Sequence, residues 1–129
     1  IEENSMDSEY FEIDADIVDE VKKIKASGRK VISVGTTTTR AIEAYFSNQL
    51  SAVSRQGNGA ISGRTDIFIY PGYKFRAVDS LITNFHLPRS TPIMLTAAFC
   101  GLENLKEAYN TAIDYKYRFF SYGDAMLIL

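Results

Sequence analysis

Apolar side chains recur along the chain at two periods, and each period predicts a different element. Ile17, Val18, Val21 and Ile24 share one face at helical spacing. With Asp14 ahead as an N-cap and Gly28 behind as a stop, they predict a helix from about Ala15 to Ser27. Lys30 to Val34 is a short β-branched run ending at Gly35, after which Ala41, Ile42, Tyr45 and Phe46 return to helical spacing. A strand, a tight turn and a helix are expected there. Residues 48–64 hold three glycines, three serines and few apolar groups, and read as a mobile loop. Ile67 to Tyr70 predicts a strand closed by Pro71-Gly72, a pair suited to the centre of a type II turn. Tyr73 to Val78 alternates, with Lys74 and Arg76 on one side, and Leu81 to Phe85 continues as strand into His86. Thr91-Pro92 sets an N-cap residue before a proline at the first helical position, predicting a helix from Pro92 to about Cys100 that ends at Gly101. Leu105, Ala108, Tyr109, Ala112 and Ile113 mark the clearest helix, and Ala125 to Leu129 a final strand. Strands interleaved with helices define an α/β class, expected as a mixed β-sheet with helices on both faces.

Composition narrows the class further. A chain of 129 residues with 46% hydrophobic and 23% charged side chains suits one domain with a sizeable core, and excludes disordered, collagen-like and disulfide-scaffold proteins. The single cysteine, Cys100, forms no intrachain bridge, which makes the cytoplasm the default compartment. Pro92 to Leu102 is too short to span a bilayer, and the acidic start Ile1 to Glu9 lacks the basic and apolar parts of a signal peptide. Neither membrane insertion nor secretion is expected. The chain opens on Ile1 and stops at Leu129 inside an apolar run, so it reads as a piece of something larger. A net charge of −2 conceals an asymmetry: residues 1–20 carry nine acids and no Lys or Arg, leaving residues 21–129 with 14 basic against seven acidic side chains, a net +7. A basic body admits a polyanionic partner.

Three segments carry candidate chemistry. Gly35 to Arg40, GTTTTR, lies where a strand hands over to a helix, the position at which α/β sheets bind ligands. Its backbone N–H groups, hydroxyls and Arg40 suit a carboxylate or a nucleotide; the plainer alternative is a threonine N-cap with Arg40 on a solvated face. His86, the only histidine, sits at a strand end and is either structural or a proton carrier. One His and one Cys offer no metal-ligand spacing, so no metal is expected. Asp79, Ser80 and His86 make a poor hydrolase triad, since no GxSxG elbow accompanies them. Tyr115 to Asp124, YKYRFFSYGD, is either a core-packing turn or a segment that aims Asp124 into a cleft and stacks on an extruded base.

Taken together, GTTTTRAIE at Gly35 to Glu43, TDIFIYPGYKF at Thr65 to Phe75, TNFHLPRST at Thr83 to Thr91 and YRFFSYGDAMLI at Tyr117 to Ile128 resemble the S-adenosylmethionine:tRNA ribosyltransferase-isomerase family of queuosine biosynthesis. The acidic lead MDSEYFEI at Met6 to Ile13 matches too. The resemblance maps onto the C-terminal part of a longer protein. It implies that residues 1–129 are the C-terminal segment of a larger α/β domain, whose N-terminal part and inserted β-barrel domain lie outside this chain. The activity it implies is transfer of the ribosyl portion of S-adenosylmethionine, a co-substrate, to the aminomethyl-deazaguanine base preQ1 at the tRNA wobble position. Isomerisation to epoxyqueuosine follows, with release of adenine and methionine. Such chemistry asks for a base near the acidic C–H beside the sulfonium, an acid for adenine departure and electrostatic support for a zwitterion.

His86, Asp124 and Asp66 are the residues of matching motifs able to serve as catalytic groups. Gly35, Thr36, Thr37, Arg40 and Asn84 are expected to bind substrate, and Lys74, Arg76, Arg89 and Arg118 to contact tRNA phosphates. The chain departs from the family at Asp7, where histidine is frequent, and at Arg89, where lysine is common; the second change keeps the charge. A non-catalytic nucleotide-binding or assembly module is the competing class, and a small hydrolase a third. By itself the 129-residue chain is expected to be inactive and to self-associate through an unpaired strand edge, including by exchange of its acidic N-terminal segment.

Overall fold

Period-two burial begins where the acids are densest. In the computed structural model, which describes residues 6–129, Phe11 and Ile13 are buried while Glu12 and Asp14 face water. They make Glu9–Asp14 a strand, β1, that the run of acids conceals. The first five residues of the acidic lead lie outside the described residues. Asp14 closes the strand and caps α1, Ala15–Ala26, its carboxylate accepting from the Asp16 N–H at 3.0 Å. Val18 and Val21 form the buried face of α1 with Ile24 partly buried beside them, whereas Ile17, grouped with them by spacing, is exposed.

β2, Ile32–Val34, passes through Gly35 into α2, Thr36–Phe46. Gly35 has φ of 91°, a conformation that strains any residue with a Cβ. Helix α2 is the hub of the molecule, with Thr39 to Ala44 all buried. Its Ala41 packs with Phe11, Ile13, Val18 and Ile61; its Ile42 with Val21, Val31, Ala77 and Val78; its Ala44 with Ile67, Ile69, Leu81 and Leu95. Residues 39–44 span more than a full turn and leave no solvated face there, so the alternative that put Arg40 in water is overturned.

The glycine- and serine-rich stretch 48–64 is not a loop. It folds as a hairpin of β3, Ser51–Arg55, and β4, Ala60–Thr65, with Asn58 accepting the Ala60 N–H at 3.0 Å in the turn. β4 lies between β1 and β3 in an antiparallel sheet. Its small residues are a packing requirement: a Cβ on Gly63 would stand 3.1 Å from the Ser51 carbonyl oxygen. β3 is exposed along its length and offers no apolar alternation to read.

Residues 67–70 and 73–78 also differ from expectation. Ile67 and Ile69 are buried and the Pro71-Gly72 turn forms, with the Tyr73 N–H donating to the Tyr70 carbonyl at 3.0 Å. Neither segment pairs with a strand, because side chains of α2 take the place of a ladder. Arg40 donates to the Ile67 carbonyl, and Glu43 accepts from the N–H groups of Arg76, Ala77 and Val78.

A second sheet is mixed: β5, Ser80–Asn84, runs parallel to β2 and antiparallel to β6, Ala125–Ile128. The chain is α/β as expected, although the one sheet anticipated divides into two of three strands. α3, Thr91–Cys100, and α4, Leu102–Asp114, meet at Gly101. Ser90 is the N-cap of α3 and Thr91 its first helical residue, one position earlier than expected. Among the described residues no helix is long and apolar enough to cross a membrane.

Candidate functional site

Two clefts open beyond the C-terminal ends of the parallel strands β2 and β5. Parallel sheets leave this end free for ligands because the following helices start there. Gly35 comes straight after β2, its N–H donating to the Ile82 carbonyl of β5 at 2.8 Å. This contact holds the start of α2 against the neighbouring strand.

The first cleft, about 170 Å³, has Glu9, Thr36, Thr37, Arg40, Thr91 and Pro92 in its wall. Arg40 is only 8% exposed. Its guanidinium donates to Glu9 at 3.0 Å and to the Ile67 carbonyl at 3.2 Å, and lies 5.5 Å from the centre of the Phe11 ring. Its Nε is buried with no hydrogen-bond partner among the described residues. An orphaned buried donor costs about 1–3 kcal/mol. Arg40, Thr36 and Thr37 thus fit the acidic end of a ligand at the start of α2, where the helix dipole adds to the attraction.

The second cleft, about 220 Å³, shares Pro92 with the first and is lined also by Asn84, His86, Leu87, Phe120 and Ser121. The His86 backbone N–H donates to the Tyr109 hydroxyl at 2.7 Å, and its ring Nε2 is 2.7 Å from the Thr83 hydroxyl. Partial burial pushes the imidazole pKa below its ordinary value, so the ring is neutral at neutral pH and able to accept a proton. Beneath it Phe85, Tyr109 and Phe119 pack edge to face and tilted, with centroids 4.9 to 5.7 Å apart.

The loop 117–124 closes the second cleft, tied by the Phe120 N–H to the Phe85 carbonyl at 3.0 Å. Asp124 holds the loop in shape. Its carboxylate accepts from the Arg118 N–H at 2.7 Å and from the Arg118 guanidinium at 3.3 Å, while its carbonyl accepts from Asn84 at 3.1 Å. The Arg118 N–H, and then the guanidinium, keep this carboxyl below the usual carboxylate range, so it stays ionised.

Of the residues singled out from sequence, Gly35, Thr36, Thr37 and Arg40 gather around the first cleft, and Asn84, His86, Asp124 and Arg118 around the second. Asp66 is exposed just beyond β4 and lines neither cleft. Lys74, Arg76 and Arg89 are exposed. Sequence reasoning missed Glu43, Thr83 and Tyr109. Glu43 is completely buried and takes four donors: the Tyr73 hydroxyl at 3.0 Å and the N–H groups of Arg76, Ala77 and Val78 at 2.7 to 3.0 Å. Its signal was an acid set within Ala41 to Phe46, an otherwise apolar helical run. Among the described residues no three of His, Cys, Asp and Glu come together as metal ligands would.

Both clefts lie within the stretch matched by the sequence profile of the family described as Queuosine biosynthesis protein, which covers residues 1–128. The chain belongs to that family. It is 54% identical over 129 residues to the S-adenosylmethionine:tRNA ribosyltransferase-isomerase of Thermodesulfovibrio yellowstonii, covering 100% of this chain and 37% of the relative. Identity to the same-named protein of Halothermothrix orenii is also 54%, over 100% of this chain and 36% of the relative. The crystal structure of the S-adenosylmethionine tRNA ribosyltransferase of Thermotoga maritima superposes with a TM-score of 0.80 at 42% identity, over 93% of this chain and 40% of that one. This queuosine-family chain therefore spans a little over a third of the length of the curated relatives it matches.

Proposed function

We propose that this chain is the C-terminal segment of an S-adenosylmethionine:tRNA ribosyltransferase-isomerase and supplies part of its active site. The observation that carries the reading is the pair of adjoining clefts at the ends of β2 and β5, built from segments that resemble the family. In this reading the first cleft takes the acidic methionine end of S-adenosylmethionine against Thr36, Thr37 and Arg40. His86, neutral and at the wall of the second cleft, removes the acidic proton beside the sulfonium. Asp124 acts as a fixed negative charge that shapes the loop, and Asp66 remains the other candidate carboxyl, reaching the reaction only together with parts outside this chain. Asn84 joins the two roles, lining the cleft while binding the Asp124 carbonyl. The exposed cations Lys74, Arg76 and Arg89, with Arg118, offer charge to the phosphates of a preQ1-containing tRNA. A cytoplasmic location agrees with such a substrate.

The deciding experiment measures adenine release from S-adenosylmethionine and preQ1-tRNA by the full-length protein. Wild type should release adenine only when both substrates are present, and His86→Asn should be slower by about 100- to 10,000-fold. Normal turnover and an unchanged pH profile in His86→Asn would remove the histidine from proton transfer. Absence of adenine release by wild type would favour a non-catalytic nucleotide-binding or assembly module.

A further inference from the structure

The second cleft combines three features that together select a ligand. It is small: about 220 Å³ falls below the roughly 300–1,000 Å³ of pockets that enclose drug-sized molecules, and gives room for one ring system. It is uncharged, since no Lys, Arg, Asp or Glu is among the residues in its wall, which disfavours a phosphate or carboxylate there. It is apolar on its broad sides, from Leu87, Pro92 and Phe120, with polar groups confined to His86, Asn84 and serine hydroxyls.

Phe120 is the unusual member. It sits at φ of 70°, in the left-handed region where a bulky side chain is strained, and the residue is 52% exposed although apolar. Strained backbone persists where surrounding bonds over-determine it, and here the Phe120 N–H is fixed to Phe85 and its carbonyl accepts from the Gly123 N–H at 2.9 Å. The loop thus holds an aromatic face in the open, beside His86 and Asn84. Asn84, in the cleft wall, uses its amide nitrogen on the Asp124 carbonyl, and its Oδ1 accepts no hydrogen bond among the described residues.

We propose that this cleft is a nucleobase subsite, in which a purine-like ring stacks on Phe120 and is read at its edge by Asn84. The inference rests on the enzymatic reading above, which supplies two such rings: the adenine of S-adenosylmethionine and the deazaguanine of the tRNA. A carboxamide oxygen complements the exocyclic amino group that both carry. Stacking supplies affinity without charge, in keeping with the neutral wall.

The test titrates the full-length protein separately with adenine and with free preQ1 base, following binding by saturation-transfer NMR. Binding of adenine assigns the cleft to S-adenosylmethionine, and binding of preQ1 assigns it to the tRNA base. In either case Phe120→Ala should weaken the interaction about 5- to 150-fold, and Phe120→Tyr should retain it. Phe120→Gly, which removes the ring and relieves the backbone, should lose binding while melting no lower than Phe120→Ala; this separates stacking from loop stability. Wild type that binds neither base, or Phe120→Ala that binds as wild type does, overturns the proposal. Because the titration needs no turnover, its failure is distinct from a failure to release adenine.

Discussion

Glu43 shows how one residue can organise a segment far away in the chain. A carboxylate with no water around it must be satisfied by donors, and this one gathers three successive backbone N–H groups and a tyrosine hydroxyl. The turn that carries Lys74 and Arg76 takes its shape from that demand. Replacing one acceptor oxygen by an amide group sets donor against donor, so Glu43→Gln should lose at least about 1–3 kcal/mol, read as a lower urea midpoint. Tyr73 is coupled to the same carboxylate: burial first, and the Glu43 charge second, push its pKa to about 12 from 10.0. A hydroxyl whose pKa is raised by folding stabilises fully below pH 10, and that contribution is lost as pH rises through about 12. Tyr73→Phe should therefore be less stable than wild type at pH 8, with a gap that narrows between pH 10 and 12. A constant gap across that range, measured by urea denaturation, would show that the hydroxyl is not coupled to folding.

At the scale of elements, the loop 117–124 depends on Gly123 for space, not for a special φ. A Cβ there would stand 2.5 Å from the Arg118 carbonyl oxygen and 2.6 Å from that of Phe119. These carbonyls cannot retreat freely, since that of Arg118 accepts the Asp124 N–H at 2.8 Å. Gly123→Ala should force the loop open at a cost of about 1–3 kcal/mol, as overpacking does elsewhere. Faster hydrogen exchange at the Phe120 and Asp124 amides is the expected sign, since each donates within the fold. Unchanged exchange at both would mean that the loop has room the geometry denies it.

The whole molecule leaves one apolar sheet face in water. Val34, Ile82 and Leu127 align in register across β2, β5 and β6, and Val34 and Leu127 are 65% and 56% exposed. β2 is also an edge strand among the described residues, so apolar surface and unpaired backbone groups coincide. Such a combination recruits another chain. The isolated 129-residue chain is expected to self-associate in sedimentation velocity, and Val34→Lys with Leu127→Lys to shift it towards monomer. A single monomeric species across concentrations would count against this. The isolated chain is also expected to release no adenine, because the proposed site draws on parts of the protein outside it.

Local pattern was enough wherever an element buries one face and ends at its own boundary residue. Helices α1 and α4, the Asp14 cap and the Gly35 and Pro71-Gly72 turns could all be read from residue types and spacing, because each depends on neighbours within a few positions. What tertiary structure alone decided involves partners distant in sequence. β4 became a central strand because Glu9–Asp14 came to lie beside it, with Glu9 opposite Thr65 and Asp14 opposite Ala60. Residues 67–78, strand-like in pattern, lost any ladder to Arg40 and Glu43. Asn84 met the Asp124 carbonyl forty positions on, while His86, just past β5, met Tyr109 on α4. Periodicity reports which face of an element is buried; it does not report what buries it. Hydrogen-bond and charge partners come only from the packing of elements against one another.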